Sequence, residues 1–99
     1  MDAPGIRNAR FELECTPGEE VRHVLSDASW PEWDAHAPMV CYMSQLGTRI
    51  GCYPEGNAVI LEMGELDTCF PQPSSGFCIC AFHDQKMYRI ASGTIRRKP

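Results

Sequence analysis

From Met39 to Met63 the chain alternates apolar and polar side chains with a period of two, interrupted by Pro54-Glu55-Gly56-Asn57. That period belongs to β-strands whose two faces see different surroundings. Two consecutive hairpins follow. With Gln45-Leu46-Gly47-Thr48 as the first loop, Met43 is expected opposite Ile50 and Cys41 opposite Cys52. With the Pro-Glu-Gly-Asn turn as the second, Cys52 is expected opposite Val59 and Ile50 opposite Leu61. One face then collects Met39, Cys41, Met43, Ile50, Cys52, Val59, Leu61 and Met63. The remaining segments are read by how they pack against that face.

Before the hairpins, Phe11, Leu13 and Cys15 alternate with Glu12 and Glu14, which predicts a half-buried strand from Arg10 to Cys15. Thr16, Pro17 and Glu19 then match a helix cap, a first-turn proline and the second half of a capping box. Val21, Val24, Leu25 and Ala28 recur at helical spacing, so a helix of about eleven to thirteen residues is expected, stopped at Pro31. Ser29 to Pro38 is an irregular, proline-punctuated link that carries Trp30 and Trp33.

After the hairpins, the stretch Pro71 to Gly76 breaks the pattern. Phe77 to Phe82 and Met87 to Ala91 then form a hairpin around His83-Asp84-Gln85-Lys86, with Ala81 opposite Tyr88 and Ile79 opposite Ile90. Cys78, Cys80, Phe82 and Met87 take its other face. With both faces apolar, this strand is expected to be central or covered on both sides. The fold expected is therefore α+β: one N-terminal helix packed on a five- or six-stranded antiparallel sheet. Residues 1–8 read as a flexible N-terminus, 9–95 as a single compact domain and 96–99 as a basic C-terminal tail.

Six cysteines in 99 residues point to a disulfide-stabilised extracellular domain. Cys41 with Cys52, Cys69 with Cys78 and Cys15 with Cys80 is the pairing that the expected strands rank first among fifteen. Secretion after signal-peptide removal is the matching expectation, with Met1 read as an added initiator. The cluster Cys78-x-Cys80-x-x-His83, with Cys69, is a competing zinc reading, but it lacks the paired spacing of common zinc modules, so no metal is expected. No cofactor is implied. No apolar run approaches the roughly 20 residues a membrane-spanning helix needs.

The chain is formally −4, with eight acids against three bases in residues 1–34 and five bases against no acid in residues 86–99. Such a balance is a poor footprint for broad nucleic-acid binding. No nucleophile elbow, phosphate loop, dinucleotide fingerprint or His-Glu-x-x-His helix occurs. The reading that follows is a small secreted recognition protein, an effector, toxin-like protein or inhibitor. It would bind a protein or other extracellular macromolecule through Trp30, Trp33, Tyr42 and Tyr53.

An enzymatic alternative uses Glu62 as a base, Arg49 or Arg89 as an anion clamp and His83 as an acid, with Arg49 expected opposite Glu62. A helix before a curved sheet resembles the small guanyl-specific ribonucleases of fungi and bacteria. Tyr42, Glu62, Arg89 and His83 are the nearest matches to that family's site, over residues 17–90. His36, the match to its first histidine, falls before the strand that should carry it. The resemblance implies RNA as substrate, or an inactive ribonuclease-like binding protein.

Overall fold

A computed structural model describes residues 5–44 and 49–99. Seven strands run in order: β1 Ala9–Cys15, β2 Val21–Leu25, β3 Met39–Met43, β4 Arg49–Glu55, β5 Ala58–Met63, β6 Ser74–His83 and β7 Lys86–Arg97. They form one sheet in the order β1-β7-β6-β3-β4-β5-β2. All neighbours are antiparallel except β1 and β7, which are parallel.

The α+β expectation is overturned: among the described residues there is no helix, and the protein is all-β. The segment read as a helix is a tight turn followed by β2. Thr16-Pro17-Gly18-Glu19 closes with the Glu19 amide donating to the Thr16 carbonyl at 3.0 Å, and Gly18 has φ +81°. Proline second and a positive-φ glycine third is the signature of a type II turn, which shares Thr and Pro with a helix start. Beyond it, Val21, His23 and Leu25 point inward at a period of two, while Val24 is 59% exposed. His23 holds an inward position, which helical spacing does not reveal.

β1 and β2 are consecutive in sequence yet lie at opposite edges of the sheet. Seven strands laid flat would separate those edges by roughly 29 Å, six steps of about 4.8 Å. The five-residue link 16–20 cannot span that distance once its first four residues are folded into a turn. The sheet therefore curls into a nearly closed barrel, filled by the inward side chains. All eight residues of the face defined by Met39–Met63 lie in or against this core, joined by Phe70, Phe77, Ile79, Ile90 and Ile95.

Three devices bend the sheet. At β4 the strand changes partners: Ile50 pairs with Cys41 of β3, whereas Gly51 pairs with Glu62 of β5. In the last hairpin Ala81 faces Tyr88 as expected, but Ile79 faces Ala91 rather than Ile90. Ile90 is an inserted bulge residue, and it and Ala91 are both fully buried. Gly93 (φ +154°) lies under β1, where an added Cβ would sit 1.8 Å from the Phe11 carbonyl oxygen.

Two expected registers shift by two residues, which keeps every side chain on its face. Cys41 lies opposite Ile50 and Ile79, and Cys52 opposite Leu61. The first expected loop, residues 45–48, is outside the described residues. The second turn tightens to Gly56-Asn57, with Glu55 paired to Ala58 and Gly56 at φ +64°.

The expected disulfides are likewise overturned: all six cysteines are free thiols. Cys15 points inward from β1, while Cys80 lies on the outward face of β6. Cys69 is exposed in a loop, and its thiol donates to the Glu65 carbonyl at 3.4 Å.

Arg96 and Arg97 belong to β7 rather than to a free tail. Arg96 pairs with Glu14, and the Arg97 guanidinium donates to the Gln72 carbonyl at 2.9 Å while its carbon lies 5.6 Å from the Phe70 ring centre.

Gly93→Ala is expected to displace β1 and cost about 3 kcal/mol or more, because strain and a backbone clash add. Gly5→Ala, with nothing within 4 Å of the added carbon, should change stability by less than about 0.5 kcal/mol. Urea unfolding of the two variants checks this, and equal midpoints would contradict it.

Candidate recognition surface

Inward residues of β3 and β6 alternate with outward ones, and the outward set is unusually apolar. Val40 and Tyr42 of β3 pair with Cys80 and Cys78 of β6. Phe82 of β6 pairs with Met87 of β7, and Cys80 with Arg89. Tyr42, Phe82 and Met87 are 42%, 41% and 59% exposed. The two-sided apolar character of β6 is therefore present, yet among the described residues no element covers its outer face.

One register row crosses this face from edge to edge. Arg49 of β4 pairs with Tyr42 of β3, Tyr42 with Cys78 of β6, Cys78 with Ser92 of β7, and Ser92 with Arg10 of β1. Paired residues project to the same side of a sheet. Tyr42 is thus flanked by arginines toward both edges, and Arg89 stands one row along. A groove of about 300 Å³ runs beside Tyr42, lined also by Ser44, Gly76, Cys78, Ser92 and Arg10. Its depth comes from small side chains around a large one.

Charge on this face is mostly positive. Its acids are Glu12 and Glu14 on β1; Glu14 pairs with Arg96, and Glu12 sits 3.9 Å from the Arg10 guanidinium. The partner guanidinium holds the Glu14 carboxyl below its ordinary value. Among the described residues neither Arg49 nor Arg89 forms an ion pair.

Tyr53 lies on a different outward face, that of β4, β5 and β2. Its hydroxyl donates to Glu62 at 3.1 Å, and Arg22 lies 3.8 Å from Glu62 and 3.6 Å from Glu55. Beneath this network Ile60, opposite Tyr53 and Val24, is fully buried. The Tyr53–Glu62–Arg22 group is a solvated lid over Ile60. Glu62 faces Gly51 rather than Arg49, since the register is two residues from the one expected.

Trp30 and Trp33 are buried, 5% and 4% exposed, and do not form a surface. Their rings lie 6.0 Å apart; Trp30 also meets Phe11 at 5.9 Å, and Trp33 meets the His83 ring edge-on at 5.6 Å. The Trp33 amide donates to the Gly56 carbonyl at 2.9 Å, tying the loop to the β4–β5 turn. This pair plugs one end of the barrel.

The residues of the enzymatic reading do not converge. Glu62 belongs to the β5 face, Arg89 to the β7 face and Arg49 to the start of β4, while His83 packs on Trp33. His36 sits in the loop, its amide bonded to Asp34 at 2.9 Å. With the helix absent as well, the architectural likeness to guanyl-specific ribonucleases is lost. Among the described residues no group of three or more His, Cys, Asp or Glu is arranged to hold a metal ion, and no helix is long and apolar enough to cross a membrane.

Phe82, Met87 and Arg10 belong to the candidate surface and were missed as site residues by sequence reasoning. The outward placement of Phe82 and Met87 was legible from the last hairpin. Arg10 joins them only through the β1–β7 pairing, for which no local signal exists. No protein-family profile matches the chain, and no curated protein is significantly similar to it.

Among the described residues no strand ladder joins β1 to β2, and His23 lines the cleft between them with Leu13 and Glu14. The His23 ring faces the Glu14 backbone, and among the described residues its Nε2 is buried without a partner. Burial holds the imidazole below its ordinary pKa of 6.5, against the opposing effect of the Glu14 backbone. The unfolded chain therefore takes up this proton first as pH falls. Stability from this site is complete above about pH 6.5 and declines as pH drops toward the folded pKa. Glu14 and Asp27, lowered by Arg96 and Ser29 respectively, act only at more acidic pH. The urea midpoint of the wild type should fall between pH 7.5 and 5, and His23→Gln should flatten that fall. Parallel curves would contradict the assignment.

Burial also keeps the inner thiols protonated: Cys41 and Cys15 are raised, and Cys52 is pushed up to about 12. In native protein at pH 8 a thiol probe should modify exposed Cys69 first, while Cys15, Cys41 and Cys52 react only on unfolding. Peptide mass mapping over time checks this order, and early modification of Cys41 would contradict it.

Proposed function

We propose that this protein is a non-enzymatic recognition module, in the manner of an effector, toxin-like protein or inhibitor, which binds a macromolecular partner. The contact surface is the outer face of β3, β6 and β7, with Tyr42 at its centre. The carrying observation is that β6 presents apolar side chains outward with no element over them among the described residues. Covering Tyr42, Phe82 and Met87 removes apolar area from water at roughly 25 cal/mol per Å², and the arginines around them select the partner's charge.

The dispersal of Glu62, Arg49, Arg89 and His83 supports binding over catalysis. An extracellular location was expected from the disulfides and loses that support with them; recognition through this face does not depend on the compartment.

Replacing Tyr42 with a photo-crosslinking phenylalanine analogue should give adducts of discrete mass in extracts of the natural source. The same analogue at Tyr53 should give few, and Phe82→Ala should weaken capture at position 42. Adducts equally abundant from both positions, or absent from both, would overturn the proposed surface.

A further inference from the structure

Taking the outer face as the recognition surface, we infer that its ligand is a single-stranded nucleic acid lying across the strands along the row Arg49–Tyr42–Cys78–Ser92–Arg10.

The row spans four strand-to-strand steps, roughly 19 Å along the curved surface at about 4.8 Å each. That length suits a short run of about four nucleotides, the low end of site sizes on small barrels. Tyr42 offers a ring at the centre of the row, and the groove of about 300 Å³ on its flank is floored by Gly76 and edged by Ser44, Cys78 and Ser92. A base has room to lie against the tyrosine there. Arg49 on one side and, on the other, Arg89 one row along and Arg10, which would exchange its 3.9 Å contact with Glu12 for phosphate, stand where flanking phosphates would pass. Each cation is an arginine, whose planar fork bonds phosphate in bidentate fashion and also stacks on bases.

Sheet topology separates this ligand from an acidic peptide. Extended peptides are commonly taken by adding a strand to a sheet edge, where main-chain hydrogen bonds supply affinity. β3, β6 and β7 are interior strands with a neighbour on either side, so this face has no backbone groups to give. Only side chains can bind here, by stacking and charge, which is how single strands are held without sequence readout. The formal charge of −4 makes the attraction local, so few phosphates are engaged and the salt dependence is shallow. Three arginine contacts give a log–log salt slope of about −2.

The test is fluorescence anisotropy with a labelled 12-nucleotide oligouridylate and its deoxythymidylate counterpart, titrated with folded protein from 20 to 200 mM salt. Saturable binding is expected, with a slope near −2. Tyr42→Ala should weaken it about 10-fold and Tyr42→Phe should preserve it. Arg49→Ala and Arg89→Ala should each reduce the slope by about 0.7. Tyr53→Ala, on the other outward face, should leave affinity unchanged, and circular dichroism confirms that each variant is folded. No binding at 20 mM salt, equal binding of duplex of the same length, or binding indifferent to Tyr42 would overturn the inference. If oligonucleotides fail while crosslinking from position 42 still captures a discrete protein, the ligand class falls and the recognition surface stands.

Discussion

A short link between two edge strands governs this architecture. β1 and β2 are adjacent in sequence, occupy the two ends of a seven-stranded sheet, and are joined by five residues of which four form a tight turn. Geometry leaves the sheet no choice but to curl until its edges nearly meet. With no helix among the described residues to cover it, each strand's apolar face must find its partner in the other strands. Gly51 at the corner of β4, the inserted Ile90 and the bare Gly93 beneath β1 are the local departures from regular pleating that allow the curl.

Curling has consequences at the ends and at the seam. A barrel this small is filled by side chains, and its open end needs a stopper, which Trp30 and Trp33 supply by packing on Phe11 and His83. Another loop is fastened by the fully buried Thr68, whose hydroxyl accepts from the Gly18 amide at 2.9 Å and donates to the Glu65 carbonyl at 2.8 Å. At the seam, where no ladder completes the cylinder, the His23 imidazole lines the cleft between β1 and β2. Burial removes water from its Nε2 without supplying a partner among the described residues, as it does for Nε1 of Trp33.

The same closure sorts the chemistry. Of the thiols that read as crosslinks, Cys15, Cys41 and Cys52 lie in an interior that suppresses ionisation, Cys78 and Cys80 on an outer face where side chains two apart run parallel, and Cys69 in an exposed loop. Rigidity comes instead from the ladder of β6 and β7, the longest pair of strands, held at its far end by Arg97 against Phe70 and the Gln72 carbonyl. Convex outside, the sheet turns Tyr42, Phe82 and Met87 toward solvent among arginines and keeps the acidic Tyr53–Glu62–Arg22 group on a separate face. One small barrel thus carries two outward surfaces of different character: a polar network closed on itself, and an apolar band flanked by arginines, of which Arg49 and Arg89 form no ion pair among the described residues.

What the amino-acid order determined was local and periodic. Alternation from Met39 to Met63 assigned eight core residues to the correct face even where the register was off by two, because a shift of two preserves sidedness. Turn chemistry placed the Asp84–Gln85 reversal, and the two apolar faces of β6 were visible in its composition. Tertiary structure decided the rest. Val21 and Leu25 lie on one face at a period of two and fall in the expected helical stripe as well, so residues 21–25 fit either element until β5 pairs with them. The placement of the cysteines, the parallel docking of β1 on β7 and the alignment of Arg10 with Tyr42 all depend on residues far apart in the chain. Only closure of the sheet brings such groups together, and a one-dimensional pattern carries no term for it.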